Sequence, residues 1–233
     1  MNRLSGSSAS LMALTMMIVA ALAPLPAAAQ EEIPPPSGGK APLVVVFSGA
    51  TGPDNYRAIS RQIAALDYDV ALFESWAVIG SRRGEALAAA VKEAIARARR
   101  LPHAQPGKIG VVGFSLGGGL ALGFGATFSD DVAVVAAWYP MTSEFKDPAA
   151  FAGRLKVPVV MFAGTADEYK FCCMIDKARV LESAAKAANA PFELTVYPGV
   201  RHGFTIPGTD YDPGSTDDAL ARTAAALKRH LGG

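Results

Sequence analysis

Cysteine is scarce in this 233-residue chain: Cys172 and Cys173 are the only two. That count excludes a disulfide-built scaffold and a multi-cysteine zinc centre. Histidine is nearly as rare, with three residues, so chemistry that needs an imidazole has few places to sit. An excess of one charge is also missing. Lys and Arg total 22 against 21 Asp and Glu, which argues against a polybasic nucleic-acid surface or an acidic tail as the main theme. At 51% hydrophobic residues the chain is too apolar for intrinsic disorder, and its length suits one domain with a sizeable core. A long membrane-spanning run is lacking too. The most apolar stretch, Leu11 to Ala23, has thirteen residues, short of the roughly 20 that cross a bilayer.

That stretch follows a basic start at Arg3 and leads through Pro24 and Pro26 to Ala27-Ala28-Ala29. A basic start, a short apolar run and a small-residue exit are the pattern of a secretory signal peptide. Residues 1–29 are therefore expected to be removed, leaving a periplasmic or secreted protein that begins at Gln30 and does not touch the membrane. Residues 30–41 contain Pro34-Pro35-Pro36 and Ser37-Gly38-Gly39. They show no apolar periodicity and read as a tether. Residues 42–233 are then the folded domain, without internal repeats.

Beyond Pro42 the chain alternates between short apolar runs and amphipathic segments. Strands are expected at 43–47, 70–73, 108–114, 132–138, 157–163 and 192–197, where unbroken apolar residues suit burial on both faces. Helices are expected at 56–66, 84–100, 116–128, 174–188 and 216–231, the last capped by Ser215. Strand–helix alternation through one domain implies an α/β fold, a mostly parallel sheet with helices on both faces. Only 18 residues (139–156) separate two of the central strands, too few for an inserted lid domain, so the site should be open.

Functional groups in such sheets collect at the carboxyl ends of strands. There, Gly113-Phe114-Ser115-Leu116-Gly117 follows the run Ile109 to Val112 and precedes a helix. This is the pattern of a nucleophile elbow, with Ser115 at a sharp tip and glycines where side chains would collide across the turn. It lacks the Lys-Ser/Thr ending of a phosphate-binding loop. The elbow also points the Leu116 N–H at developing negative charge. A serine needs a base, and the base needs an orienting acid, in the chain order serine, acid, histidine. His103 precedes the elbow and reads as a solvated loop residue. His230 falls in the last helical turn, a favourable place for a surface cation. His202 follows the final strand and is the base. Asp167 and Glu168 both follow the strand ending at Gly164; Asp167 is the better placed, and Glu168 remains open.

These segments, together with Tyr197-Pro198-Gly199-Val200-Arg201-His202-Gly203-Phe204, resemble the dienelactone hydrolase family of α/β-hydrolases over about residues 42 to 231. The resemblance implies Ser115, Asp167 and His202 as catalytic triad, with oxyanion N–H groups from Leu116 and, in the loop after the first strand, Ala50. It also implies two departures. The name-giving enzymes carry a cysteine where this chain has Ser115, and a glutamate where it has Gly49. Arg201, Arg82 and Arg83 are the candidates for holding an acidic substrate. Cys172 and Cys173 lie away from the elbow and are expected as reduced, buried thiols, with a strained adjacent-cysteine disulfide as the alternative open to an exported protein.

The expected function is an exported serine hydrolase of small carboxylic esters or lactones, working without metal or cofactor. A peptidase or acyltransferase of the same fold is the alternative, because the triad does not choose its acceptor. A non-catalytic binding module stands as a third reading.

Overall fold

Six apolar runs become six parallel strands, each leading into a helix or helical turn. In chain order the elements are β1 (Gln30–Ile33), β2 (Leu43–Phe47), α1 (Arg57–Ala64), β3 (Asp69–Phe73), α2 (Ser75–Ile79), α3 (Gly84–Ala98) and β4 (Ile109–Phe114). There follow α4 (Leu116–Gly123), β5 (Val132–Trp138), α5 (Pro148–Arg154), β6 (Val159–Gly164), α6 (Ile175–Ala187), β7 (Phe192–Tyr197) and α7 (Pro213–Leu231). The computed structural model describes residues 30–208 and 210–232; the expected signal peptide at 1–29 lies outside the described residues. The sheet order is β1-β3-β2-β4-β5-β6-β7. All strands are parallel except β1, which runs antiparallel to β3.

Strand periodicity divides the core into two layers. Leu43, Val45 and Phe47 of β2 face a cluster built with Val91, Leu120, Phe151 and Leu181 from α3 to α6. Val44 and Val46 face the opposite cluster, with Ile59 and Ile63 of α1 and Leu227 of α7. Helices thus cover both faces, as a sheet of doubly buried strands requires. Where α7 crosses β4 the strand has Gly110, and a Cβ there would fall 2.5 Å from Leu227 Cδ2. The missing side chain is what lets the last helix lie close to the sheet.

Three expectations are corrected. The segment read as a tether begins as a strand: Gln30–Ile33 pairs with β3, from Gln30 opposite Phe73 to Ile33 opposite Val70. A four-residue edge strand needs backbone pairing and little else, so it leaves no apolar period. Its Glu31 carboxylate meets the Arg57 guanidinium of α1 at 2.8 Å. The cap of α7 is Asp212, whose Oδ1 accepts the Ser215 N–H at 2.7 Å. Helices α2 and α5 were not anticipated; both are short, and α5 starts at Pro148 and is capped by Asp147 accepting the Ala150 N–H at 2.9 Å. Between β5 and β6, α5 is the one helix, so the described residues contain no inserted lid domain.

Leu227 is 1% exposed and fills the space over Gly110. Leu227→Ala is expected to lower stability by about 2–5 kcal/mol in urea unfolding, the range for a truncated core leucine. A loss under about 1 kcal/mol would contradict close packing of α7 on β4.

Candidate active site

Ser115 joins β4 to α4 with φ of 51°, a left-handed conformation that few non-glycine residues adopt. The turn closes because its flanks carry no side chains. A Cβ on Gly113 would overlap the Gly117 carbonyl, and one on Gly117 would overlap the Phe47 carbonyl at the end of β2. The Ser115 N–H donates to the Trp138 carbonyl at 3.0 Å, and the Gly117 N–H donates to the Ser48 carbonyl at 3.1 Å. The elbow is tied in this way to the ends of β5 and β2.

The loops after β6 and β7 bring the other expected partners to it. Ser115 Oγ lies 2.9 Å from His202 Nε2, and His202 Nδ1 lies 2.7 Å from Asp167 Oδ2. Asp167, not Glu168, is the residue at the imidazole; Glu168 lines the pocket that Ser115 also lines. The Asp167 side chain is 1% exposed and that of His202 13%. The second carboxylate oxygen, Oδ1, accepts the Tyr169 N–H at 3.2 Å. A serine, an imidazole and a buried carboxylate in this order can pass a proton from the hydroxyl to the ring and stabilise the cation so formed.

Two aromatic residues that sequence reasoning missed hold the imidazole. The Tyr169 ring stacks on His202, centroids 4.5 Å apart and planes 6° from parallel. Tyr139 meets the ring edge-on at 5.0 Å. Only the tertiary fold brings either tyrosine to His202; no spacing marks them, although Tyr169 follows Asp167 by two positions.

The loop after β2 is fixed by a small buried network. Ser75 Oγ donates to the Ser48 carbonyl at 2.6 Å, and the Ser75 N–H donates to Ser48 Oγ at 3.3 Å. Trp76 Nε1 donates to the Ala50 carbonyl at 3.2 Å, which fixes the orientation of that residue beside Ser115. Ala50 and Ser115 line one pocket of about 520 Å³. Leu116 occupies the first turn of α4, where helical N–H groups have no carbonyl four residues back. Gly49, the position aligned with the family's glutamate, has no room for any side chain: a Cβ would overlap the Tyr56 hydroxyl. Burial pushes the Tyr56 phenol up, against hydrogen bonds to Thr51 and Tyr139 that pull it back. Burial, then the neighbouring Tyr56, holds Tyr139 well above the ordinary range. Both phenols stay neutral, so a polar but uncharged group fills the space beside Gly49.

The remaining candidates separate. Arg201 lies at the rim of the Ser115 pocket, 3.4 Å from Asp210. Arg83 lines a neighbouring groove of about 1090 Å³ that includes Leu116, Met141 and Phe145. Arg82 borders neither, and its guanidinium donates to the Val78 carbonyl at 3.3 Å. His103 is a partly exposed loop residue, as expected, but it is not isolated: its Nδ1 lies 2.9 Å from Glu32 Oε1. His230 is exposed on the last turn of α7, as expected. The expectation of reduced thiols is also corrected. Cys172 and Cys173 are joined as a disulfide, and their sulfurs and one ring nitrogen of His202 lie within 4.8 Å of one another. Immediately before the cysteines the chain takes two consecutive left-handed residues, Lys170 and Phe171.

A mostly parallel sheet with a nucleophile elbow at its carboxyl edge, and an imidazole and carboxylate delivered by the following loops, defines an α/β-hydrolase. Within that class the chain belongs to the dienelactone hydrolase family, which its residues 70–231 match. The protein usf of Aquifex pyrophilus is 29% identical over 133 residues, covering 55% of this chain and 54% of that protein. The chain thus spans about half the length of the curated relative it matches. Among solved structures, a protein of Klebsiella pneumoniae subsp. pneumoniae MGH 78578 described as a dienelactone hydrolase superposes with a TM-score of 0.74. It is 21% identical, over 86% of this chain and 92% of that one. The dienelactone hydrolase-like promiscuous phosphotriesterase P91 from metagenomic libraries gives 0.68 at 17% identity, over 82% and 87%. Both likenesses are likenesses of fold.

The disulfide links neighbours in sequence, so it removes almost no loop-closure entropy from the unfolded chain. Its backbone is held independently by the Thr142 and Ser143 N–H groups, both donating to the Cys172 carbonyl at 2.9 Å. The double change Cys172→Ser/Cys173→Ser is expected to alter unfolding free energy by no more than about 1 kcal/mol. A loss of several times that amount would show the bond to be a structural staple.

Proposed function

We propose that this protein is an exported serine hydrolase of small carboxylic esters or lactones. The observation that carries the reading is the continuous chain from Ser115 Oγ through both nitrogens of His202 to Asp167, at 2.9 and 2.7 Å. In the proposed reaction His202 Nε2 takes the Ser115 proton as Oγ attacks the ester carbonyl. The Leu116 and Ala50 N–H groups receive the oxyanion. Collapse expels the alcohol, which takes the proton from His202, and an acyl-Ser115 ester remains. Water enters by the same relay, and its attack releases the acid and restores the hydroxyl. Asp167 keeps the imidazole in one tautomer and stabilises its cation.

The pocket supports a small substrate. Its volume of about 520 Å³ lies within the usual range for small-molecule sites, roughly 300–1,000 Å³. No inserted domain closes it. The name-giving thiol and glutamate are both absent here, and their joint loss fits a serine activated by the imidazole alone. For export, the pattern of residues 1–29 is the main support. A disulfide beside the site is consistent with an oxidising compartment.

Ser115→Ala and His202→Ala are each expected to reduce kcat for a short-chain ester by about a thousandfold or more, and the pair together by little beyond either alone, since they act as one unit. Asp167→Asn is expected to cost less than either, and Glu168→Gln much less. A fluorophosphonate probe should label wild type at Ser115 and leave Ser115→Ala unlabelled. Turnover retained in Ser115→Ala, or a wild type inert to ester and probe alike, would overturn the reading.

A further inference from the structure

At the opposite, amino-terminal edge of the sheet lies a group of side chains that the proposed reaction does not use. Asp69 opens β3 and is fully buried, yet among the described residues neither of its carboxylate oxygens has a hydrogen-bond partner. Glu32 of β1 and His103 of the loop before β4 stand beside it. One donor atom from each of the three residues lies within 4.8 Å of the other two. The Glu32 and His103 side chains are 22% and 31% exposed, with Oε1 2.9 Å from Nδ1.

Buried polar groups are almost always paired, and a carboxylate with two orphan oxygens calls for a specific cause. Burial, with the charge of Glu32 adding to it, pushes the Asp69 carboxyl up to about 6, while His103 and Lys40 pull it back. Two carboxylates thus meet at one imidazole, and both oxygens of the buried one are left without a donor among the described residues. Lys40, the nearby ammonium, donates instead to the Ala104 carbonyl at 3.2 Å. A divalent cation would take one of the orphan oxygens directly, leave the other to its bound water, and neutralise the two carboxylates.

We propose that Glu32, Asp69 and His103 form a binding site for a zinc-class divalent cation that clips β1 to the base of the sheet. The donor set selects the ion. One imidazole nitrogen with carboxylate oxygens suits zinc, whereas calcium and magnesium prefer oxygen alone. Three protein ligands leave a fourth tetrahedral position for water. Tetrahedral zinc at about 2.0–2.2 Å from each donor needs the donors closer together than 4.8 Å, and the two partly exposed side chains can rotate inward to provide that. The ligands come from three segments well separated in sequence, so one ion would tie the antiparallel edge strand, β3 and the 101–106 loop together. Its binding would stabilise the folded chain by mass action. The site lies at the other end of the strands from Ser115 and owes nothing to the ester-hydrolase reading.

The test uses the full chain with its disulfide oxidised, stripped with chelator and titrated with Zn²⁺ in a calorimeter. One equivalent is expected to bind, with a rise in the thermal midpoint that EDTA reverses. Asp69→Asn and His103→Ala should each weaken binding at least about tenfold and lose the zinc-dependent shift. His202→Ala should keep both, which separates this site from the imidazole near the cysteines. His103 is partly exposed, so its variant remains informative should Asp69→Asn fail to fold. No stoichiometric binding, binding unchanged in His103→Ala, or calcium held as tightly as zinc would each overturn the proposal.

Discussion

The turn at Ser115 is the constraint from which the site is assembled. A non-glycine residue in the left-handed region costs on the order of 1 kcal/mol or more, so the turn persists only because its surroundings determine it. They do so through contacts that glycine alone permits. Because Gly117 has no side chain, its N–H reaches the Ser48 carbonyl. That same carbonyl accepts from Ser75, and the following residue, Trp76, holds Ala50. The serine, the first turn of α4 and the loop after β2 therefore form a single rigid unit. The geometry for an attacking oxygen and for its oxyanion donors is set together.

Around that unit the protein uses neutral aromatic groups where a charge could have been placed. Tyr56 occupies the space beside Gly49, and burial keeps both it and Tyr139 protonated. His202 lies between the face of Tyr169 and the edge of Tyr139. Asp167 is left as the carboxylate in direct contact with the ring. In a low-dielectric setting an extra negative charge near Ser115 would oppose the oxyanion, and a phenol does not. The disulfide at Cys172–Cys173 terminates the segment that starts at Asp167 and carries Tyr169, so three features near the imidazole share one short stretch of chain.

The sequence made the parallel strands, Ser115 and His202 legible, and narrowed the acid to Asp167 or Glu168, because these follow from local rules. Doubly buried strands are continuous apolar runs, and the elbow needs fixed glycines. What stayed hidden depends on pairing across the fold. Strand β1 is polar and short, so its partner defines it. Helix α5 has only seven residues and opens at a proline, so no apolar period marks it. His103 read as an isolated loop residue because Glu32 and Asp69 lie 71 and 34 positions away. The adjacent cysteines gave no sign of their state, because adjacency in sequence is compatible with two thiols and with a disulfide alike. The choice between Asp167 and Glu168 likewise needed coordinates.

The central claim is that the hydroxyl of Ser115 becomes covalently acylated during turnover. Its most direct test is rapid mixing of the wild-type chain with excess p-nitrophenyl acetate, acid quenching, and peptide mass analysis. The account predicts an acetyl group on the peptide that contains Ser115, at that residue, formed as fast as nitrophenol is first released. Nitrophenol release with no acetylated Ser115 at any quench time, or acetylation confined to another side chain, would contradict it.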